Sequence, residues 1–396
     1  MRAAFRGLAA VFAAFAVALP IAAAELTQRE RLEDFDAMWR AIDAGYAFFD
    51  AGRAPWRQVR ATWRPRAARA KSRDEFAAAL RGALETLRDD AVVLAADGLL
   101  APRLPYDIDV WPRWDAGGAR IEAVRVFSDA DVAGVRPGQA LTQAGDVAVQ
   151  RAVRERLGRA PRDAAEAEWA LRRILAERNH RAPRPPALPT LSAHRIGEER
   201  DLGYLRIRIG IPEPRFEERL DGALEQVAGT RAIIVDLRDN TGPGSREMTR
   251  AVLARFVRGE TPWQLRGAAG AKRTPDLVQP AGVPYTGPVV VLVDRWTAGE
   301  GEALAAGLVA VAHAEIIGTR TAGLRSESRE TRLPHSGFTL TFPAQRSFRP
   351  DGAPRRELVP DIAIDLAAPK GGPGDPILYQ ALKRLAKKPG TDPYFR

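Results

Sequence analysis

Ser245 stands directly after a Gly- and Pro-containing loop, residues 238–244, at the expected start of a helix over 246–258. A hydroxyl in that place can act as a nucleophile or cap the helix, and the Glu247 that follows suits the cap. Ser326, Ser328 and His335 form a second, looser grouping of hydroxyls and a base. The run Leu333-Pro334-His335-Ser336-Gly337 reads as a turn, however, and the two serines as polar loop residues. Glu302, near the start of a helix expected over 301–312, is read as a negative charge favoured by the helix N-terminus. Other chemistry is excluded by composition. There is no cysteine, which removes thiol catalysis, iron–sulfur clusters, cysteine zinc sites and disulfides. The four histidines, at 180, 194, 313 and 335, offer no pair at metal-binding spacing, so neither a metal nor another cofactor is expected.

A chain of 396 residues has room for two or three domains. Its hydrophobic and charged fractions, 45% and 28%, are those of a folded globular protein. The net charge of +10 comes from 54 Arg and six Lys against 50 acidic residues. So lopsided a choice of arginine reads as genome base composition rather than selection for phosphate binding. Arg53, Arg57, Arg60 and Arg64 recur at helical spacing, and are read as the solvated face of an amphipathic helix. No nucleic-acid motif accompanies them, and no nucleic-acid partner is expected.

Residues 1–24 read as a secretory signal peptide. Arg2 and Arg6 precede an apolar run over 8–19 that is too short to span a bilayer, and Ala22, Ala23 and Ala24 stand before Glu25. Their removal leaves a net charge of +8. No later segment is apolar for the ~18 residues a span needs. The mature chain is therefore expected in a bacterial periplasm, without a transmembrane segment.

Four regions follow. Residues 25–95 are helical, with Phe35, Met38, Trp39 and Ile42 on one face and a capping-box pattern, Ser72 and Glu75, opening a helix over 74–87. Residues 102–152 are a small β-rich module, with a strand over 121–126 and short strands at 141–142 and 147–149 around Gly145-Asp146. Residues 153–200 hold a helix over 154–173 and a Pro-rich linker over 181–189. Residues 201–396 alternate strands (203–209, 232–237, 289–293 and from 316) with helices (215–227, 246–258, 301–312), which is the pattern of a layered α/β core.

Several stretches of this pattern resemble the tail-specific, or C-terminal processing, serine peptidases, the family of the tricorn catalytic core and of the photoreceptor retinoid-binding repeats. They are FDAMWRAIDAGYAFFD at 35–50, AGVRPGQALTQAGDVAV at 133–149, the strand at 203 through the loop LRDNTGPG, and VVVLVDRWTAGEGEALAAGL at 289–308 followed by Ile317-Gly318-Thr319. Val359-Pro360-Asp361-Ile362 and Gly374-Asp375-Pro376 before a last helix also fit. The resemblance implies a crotonase/ClpP-like layered α/β core with a helical N-terminal region and a small PDZ-like β module. It implies amide hydrolysis by an activated hydroxyl, a base and main-chain donors for the oxyanion.

At the positions the resemblance assigns to that chemistry, this sequence departs. Counting back three from Glu302 places the nucleophile at Gly299, which has no side chain. The lysine base of Ser/Lys members maps, after Gly323, onto Leu324; the histidine of Ser/His members maps, after Asp89-Asp90, onto Ala91. The donor loop after Asn240 runs Thr241-Gly242-Pro243-Gly244, and Pro243 has no N–H to offer. Gly242 and Gly244 keep theirs and, with Thr297 and Ala298, are the expected substrate-binding residues. Ser245 is the best substitute nucleophile, and Glu302 and Glu357 are candidate orienting carboxylates. Gly117-Gly118 reads as a hairpin turn rather than a carboxylate-binding loop, so the PDZ-like module is expected to be structural. The expected function is that of a serine-type peptidase family member which has lost or nearly lost peptidase activity and binds an extended peptide or unfolded protein tail. Two alternatives stay open: an active peptidase using a displaced Ser such as Ser245, and a carrier of small lipophilic ligands. The oligomeric state is not legible.

Overall fold

A computed structural model describes residues 25–386, except 50–53, 97–101, 117, 181–188, 211–212, 243, 269–270, 325–327, 356–357 and 369–373. The expected signal peptide, nearly all of the expected linker, Arg53, Gly117, Pro243, Ser326 and Glu357 therefore lie outside the described residues.

The chain opens with three helices, α1 (Gln28–Gly45), α2 (Ala54–Arg69) and α3 (Arg73–Glu85). Thr27 starts α1 with a capping box, its hydroxyl accepting the Glu30 amide while Glu30 accepts the Thr27 amide. At α3 the box is displaced: Ser72 accepts the Glu75 amide, but the Glu75 carboxylate turns to the Lys71 amide at 2.7 Å. Phe35, Met38 and Ile42 of α1 are fully buried against Phe76, Leu80 and Leu84 of α3, and each contributes about 1.5–3 kcal/mol by leaving water. Arg60 and Arg64 of the arginine stripe hold Asp36 of α1 from the half-exposed face. The short strand β1 (Val93–Ala95) follows.

The next segment forms a hairpin module. Strands β2 (Val110–Asp115) and β3 (Gly118–Val124) pair antiparallel. A one-turn helix α4 (Asp129–Val132) leads to β4 (Gln143–Ala144) and β5 (Val147–Ala148), then to α5 (Val149–Leu157) and α6 (Ala164–Asn179). The single helix expected over 154–173 is thus two. Gly158 ends α5 in the left-handed region at φ 67°, and Asp163 caps α6 by accepting the Glu166 amide.

The remainder is layered. It runs β6 (Leu191–Ile196), β7 (Leu202–Ile207), α7 (Phe216–Gln226), β8 (Ala232–Asp236), α8 (Arg246–Leu253), β9 (Thr261–Gly267), β10 (Thr274–Val278), β11 (Val289–Val293) and α9 (Glu300–Ala312). It continues with β12 (Glu315–Gly318), β13 (Ser328–Arg332), β14 (Thr339–Pro343), β15 (Arg346–Phe348), β16 (Ile362–Ala363) and α10 (Pro376–Arg384). The main sheet has the order β16-β12-β11-β8-β7-β6 and is parallel except at the edge strand β6. Every residue of β8 and β11 is buried, because α7, α8 and α9 cover one face and α10 the other. The core sheet therefore begins at Leu191, inside the stretch read as helix and linker. Helix α8 stops at Leu253 rather than 258, where the Ala254 and Arg255 carbonyls instead accept the amides of Ala281 and Tyr285.

Two smaller antiparallel sheets tie the regions together. One has the order β10-β9-β15. The other, β1-β14-β13, joins the N-terminal helices to the far end of the chain, so that Phe338, Leu340 and Phe342 complete the core of α1 and α3. Among the described residues no helix is long and apolar enough to cross a membrane.

Candidate active site

Strands β8 and β11 are parallel neighbours, so the loops that leave their C-terminal ends lie side by side. From β11 the chain turns through 294–299 into α9. Gly299 is the last residue before that helix and has φ 56° and ψ −119°, a conformation that L side chains rarely adopt. Its amide donates to Glu302 Oε2 at 3.1 Å. A Cβ on Gly301 would lie 2.7 Å from Asn240 Cβ, and one on Gly244 would lie 2.4 Å from Glu300 Cβ. The loop from β8 is therefore packed directly on the first turn of α9.

Asn240 is the staple of this junction. Its Nδ2 donates to the Ile207 and Leu237 carbonyls at 2.8 and 2.9 Å, its Oδ1 accepts the Ile209 amide, and its carbonyl accepts the Ala298 amide. It is buried and joins the ends of β7 and β8 to the turn before α9. Thr297 and Ala298 are likewise fully buried. Their amides are spent on the Asp294 and Asn240 carbonyls, so of these expected substrate-binding residues neither offers a main-chain N–H. By contrast, the amides of Gly242 and Gly244 have no hydrogen-bond partner among the described residues. They remain the donors this loop can offer to an anion or a carbonyl oxygen.

Glu302 connects the turn to a third segment. Its Oε1 accepts the Thr321 hydroxyl at 2.5 Å and the Gly323 amide at 2.9 Å. The Ala322 amide donates to the Thr297 carbonyl at 3.0 Å. Leu324, onto which the resemblance maps the lysine base, thus directly follows a segment docked on the Gly299 turn. Burial pushes the Glu302 pKa up to about 7, against the pull of its three donors and of the Arg355 charge. A carboxyl buried in this way holds a proton part of the time at neutral pH. It is a hub beneath Gly299, a larger role than the helix-dipole charge read from its position.

The remaining candidates fall elsewhere. Ser245 is the N-cap of α8: its hydroxyl accepts the Met248 amide at 3.3 Å and donates to Glu247 Oε2 at 3.0 Å. Glu247 is held below the usual carboxylate range by hydrogen bonds from its own amide and from Ser245, so it is a weak base. Ala91 lies in the turn before β1, where Asp89 accepts the Tyr46 hydroxyl and Asp90 pairs with Arg172. These bonds tie the turn to the end of α1 and to α6. His335 sits against α1, its Nε2 2.6 Å from Glu33 Oε2. Ser328 is exposed on β13.

The hairpin module grips the same turn. Arg295 pairs with Glu122 at 2.8 Å, and Trp296 Nε1 donates to the Ile108 carbonyl at 2.9 Å. The Trp296 ring is buried in the module's own core, edge-on to Trp111. Arg125 reaches from the end of β3 to Asp239 at 2.7 Å, and Asp239 also meets Arg208 at 2.9 Å. Asp294 accepts the Asp239 amide, and burial beside the Asp239 charge pushes its pKa up to about 6. None of these contacts was visible in the sequence, because each joins residues far apart along the chain.

Known families and structures match this arrangement. Residues 201–364 match Peptidase family S41, and residues 27–84 match the tricorn protease C1 domain. No curated protein matches the chain. Among solved structures, a Parabacteroides merdae protein assigned as a peptidase is 16% identical with a TM-score of 0.58, over 93% of this chain and all of its own. The photosystem II D1 C-terminal processing protease is 18% identical with a TM-score of 0.58, over 92% of this chain and 99% of its own. Mature CPAF complexed with lactacystin is 15% identical with a TM-score of 0.57, over 85% of this chain and 94% of its own. The core of the chain, residues 201–364, is thus similar to Peptidase family S41, and its first helices are similar to the tricorn C1 domain. Within that core the residue before α9 is a glycine, Gly299.

Proposed function

We propose that this chain is an exported pseudopeptidase that binds extended peptide or unfolded protein tails at the β8 loop, on the Gly242 and Gly244 amides. The observation that carries the reading is the pairing of open donors with missing reactants. Among the described residues the Gly242 and Gly244 amides have no partner, whereas Gly299 has no hydroxyl and Leu324 has no proton-accepting group. An arrangement that keeps the oxyanion donors and lacks nucleophile and base can bind a peptide carbonyl without cleaving it. The hairpin module, read as PDZ-like, serves as a structural cover, a role supported by its three anchors on the 294–297 turn and Asp239. Export rests on residues 1–24.

The test is turnover of an unfolded protein with an apolar tail by wild type, Gly299→Ser, Leu324→Lys and the double variant. Loss of nucleophile or base in a serine peptidase lowers kcat by about 10⁴–10⁶. Wild type is expected to bind the substrate and leave it intact. Gly299→Ser alone should restore little, because an unactivated hydroxyl is a poor nucleophile at neutral pH, and the double variant should restore more. Robust wild-type cleavage abolished by Ser245→Ala would overturn the proposal.

A further inference from the structure

Helix α9 borders a second concavity. One and two turns beyond Glu302 it presents Ala306, Val309 and Ala310 to a cavity of about 240 Å³. The opposite wall is Trp263 of β9, Phe348 of β15 and Pro350. The alanines leave the room, and two large aromatic residues, both buried, form the wall facing them. Positive charge gathers at the mouth. Arg349 and Arg355 line it, and Arg273 stacks over the Phe348 ring at 3.8 Å. Among the described residues Asp351 is the one carboxylate in the lining, and its pair with Arg349 leaves both side chains 59% exposed and able to part. Arg355 meets Gln264 Oε1 at 3.1 Å inside the rim.

We propose that this cavity binds a small carboxylate with an aryl or branched-alkyl body, the body lodged between Phe348 and α9 and the carboxylate at Arg349 and Arg355. Size and charge both select this class. An apolar cavity of about 150 Å³ takes up benzene, so a somewhat larger one accommodates a ring with a two- or three-carbon arm. Drug-sized ligands, whose pockets measure about 300–1,000 Å³, are too large. A neutral hydrocarbon would leave the positive mouth unused, whereas a carboxylate meets guanidinium groups with charge-assisted hydrogen bonds. The same group arises from two sources, a free arylalkanoate or the C-terminal residue of a peptide. The proposal is independent of the peptide site at Gly242 and Gly244.

The experiment is calorimetric titration of the protein with 3-phenylpropanoate, 3-phenylpropanamide and the tripeptide Gly-Gly-Phe. The acid is expected to bind with a Kd of about 1 mM or tighter, as suits a ligand of about eleven heavy atoms, and the amide about tenfold more weakly. Arg349→Glu should weaken the acid about tenfold and leave the amide unchanged. Ala310→Phe fills the cavity and should abolish both, with the circular dichroism spectrum and Tm retained. Tripeptide binding equal to the acid identifies chain ends as the source; binding of the acid alone identifies a free carboxylate; either upholds the site. Absence of binding by all three probes, or acid binding insensitive to Arg349→Glu, overturns it. The Arg349→Glu arm stands even if Ala310→Phe fails to fold.

Discussion

Replacing Glu302 by Gln removes the titration of the buried carboxyl while keeping its shape. In the native protein this group's pKa rises from the ordinary 4.5 to about 7. Between those values the unfolded chain has released a proton that the native state keeps, so wild-type stability falls as pH rises and levels off above pH 7. At 1.36 kcal/mol per pKa unit the loss is about 3 kcal/mol. The variant carries a separate cost that does not vary with pH. Its amide group faces one of the donors at Gly299, Thr321 or Gly323, for about 1–2 kcal/mol. Glu302→Gln is therefore less stable than wild type near pH 4.5 and more stable near pH 8, with a crossing between. Asp294, raised to about 6, is present in both proteins and cancels in the difference. Urea denaturation followed by tryptophan fluorescence from pH 4.5 to 8.5 supplies the two curves. Parallel curves would show that Glu302 does not retain its proton on folding and would refute the account of a buried hub.

Three further outcomes are expected. Trp296→Ala opens the module core and removes the bond to Ile108, lowering unfolding free energy by about 3–5 kcal/mol in the same denaturation assay. Ser245→Ala costs about 1 kcal/mol through the lost cap of α8 and leaves peptide binding unchanged; a large drop in any measured peptidase rate would instead give the hydroxyl a catalytic role. N-terminal sequencing of the protein from a periplasmic fraction should begin at or near Glu25, and recovery of intact Met1 in the cytoplasm would contradict export.

The strands that carry the site were legible because burial on both faces demands an unbroken apolar run, and 289–293 of β11 meets that demand in five consecutive residues. Gly299 was expected three residues before Glu302, and it stands directly before α9. Asn240 was not legible. A loop asparagine looks like any other turn residue, and its partners at Ile207, Ile209, Leu237 and Ala298 are brought to it only by the sheet. Glu302 was placed on the correct helix, but helix position does not disclose that the carboxyl is enclosed by Thr321 and Gly323. Strand β6 was hidden by the prolines before it. The pairing of Val93–Ala95 with Thr339–Thr341 closes the N-terminal core through a contact that no local pattern announces.

The indole of Trp296 belongs to the α9 turn by sequence and to the hairpin module by packing. Amide hydrogen exchange turns that shared ownership into an observable. A local opening of the module must expose this ring, sever the bond to Ile108 and free Arg295 from Glu122 in the same event. The amides of β2 and β3 and those of the 294–299 turn should then exchange deuterium with one common protection factor, as a single cooperative unit. Motion of the cover and disorder of the Gly299 turn are one fluctuation seen from its two ends.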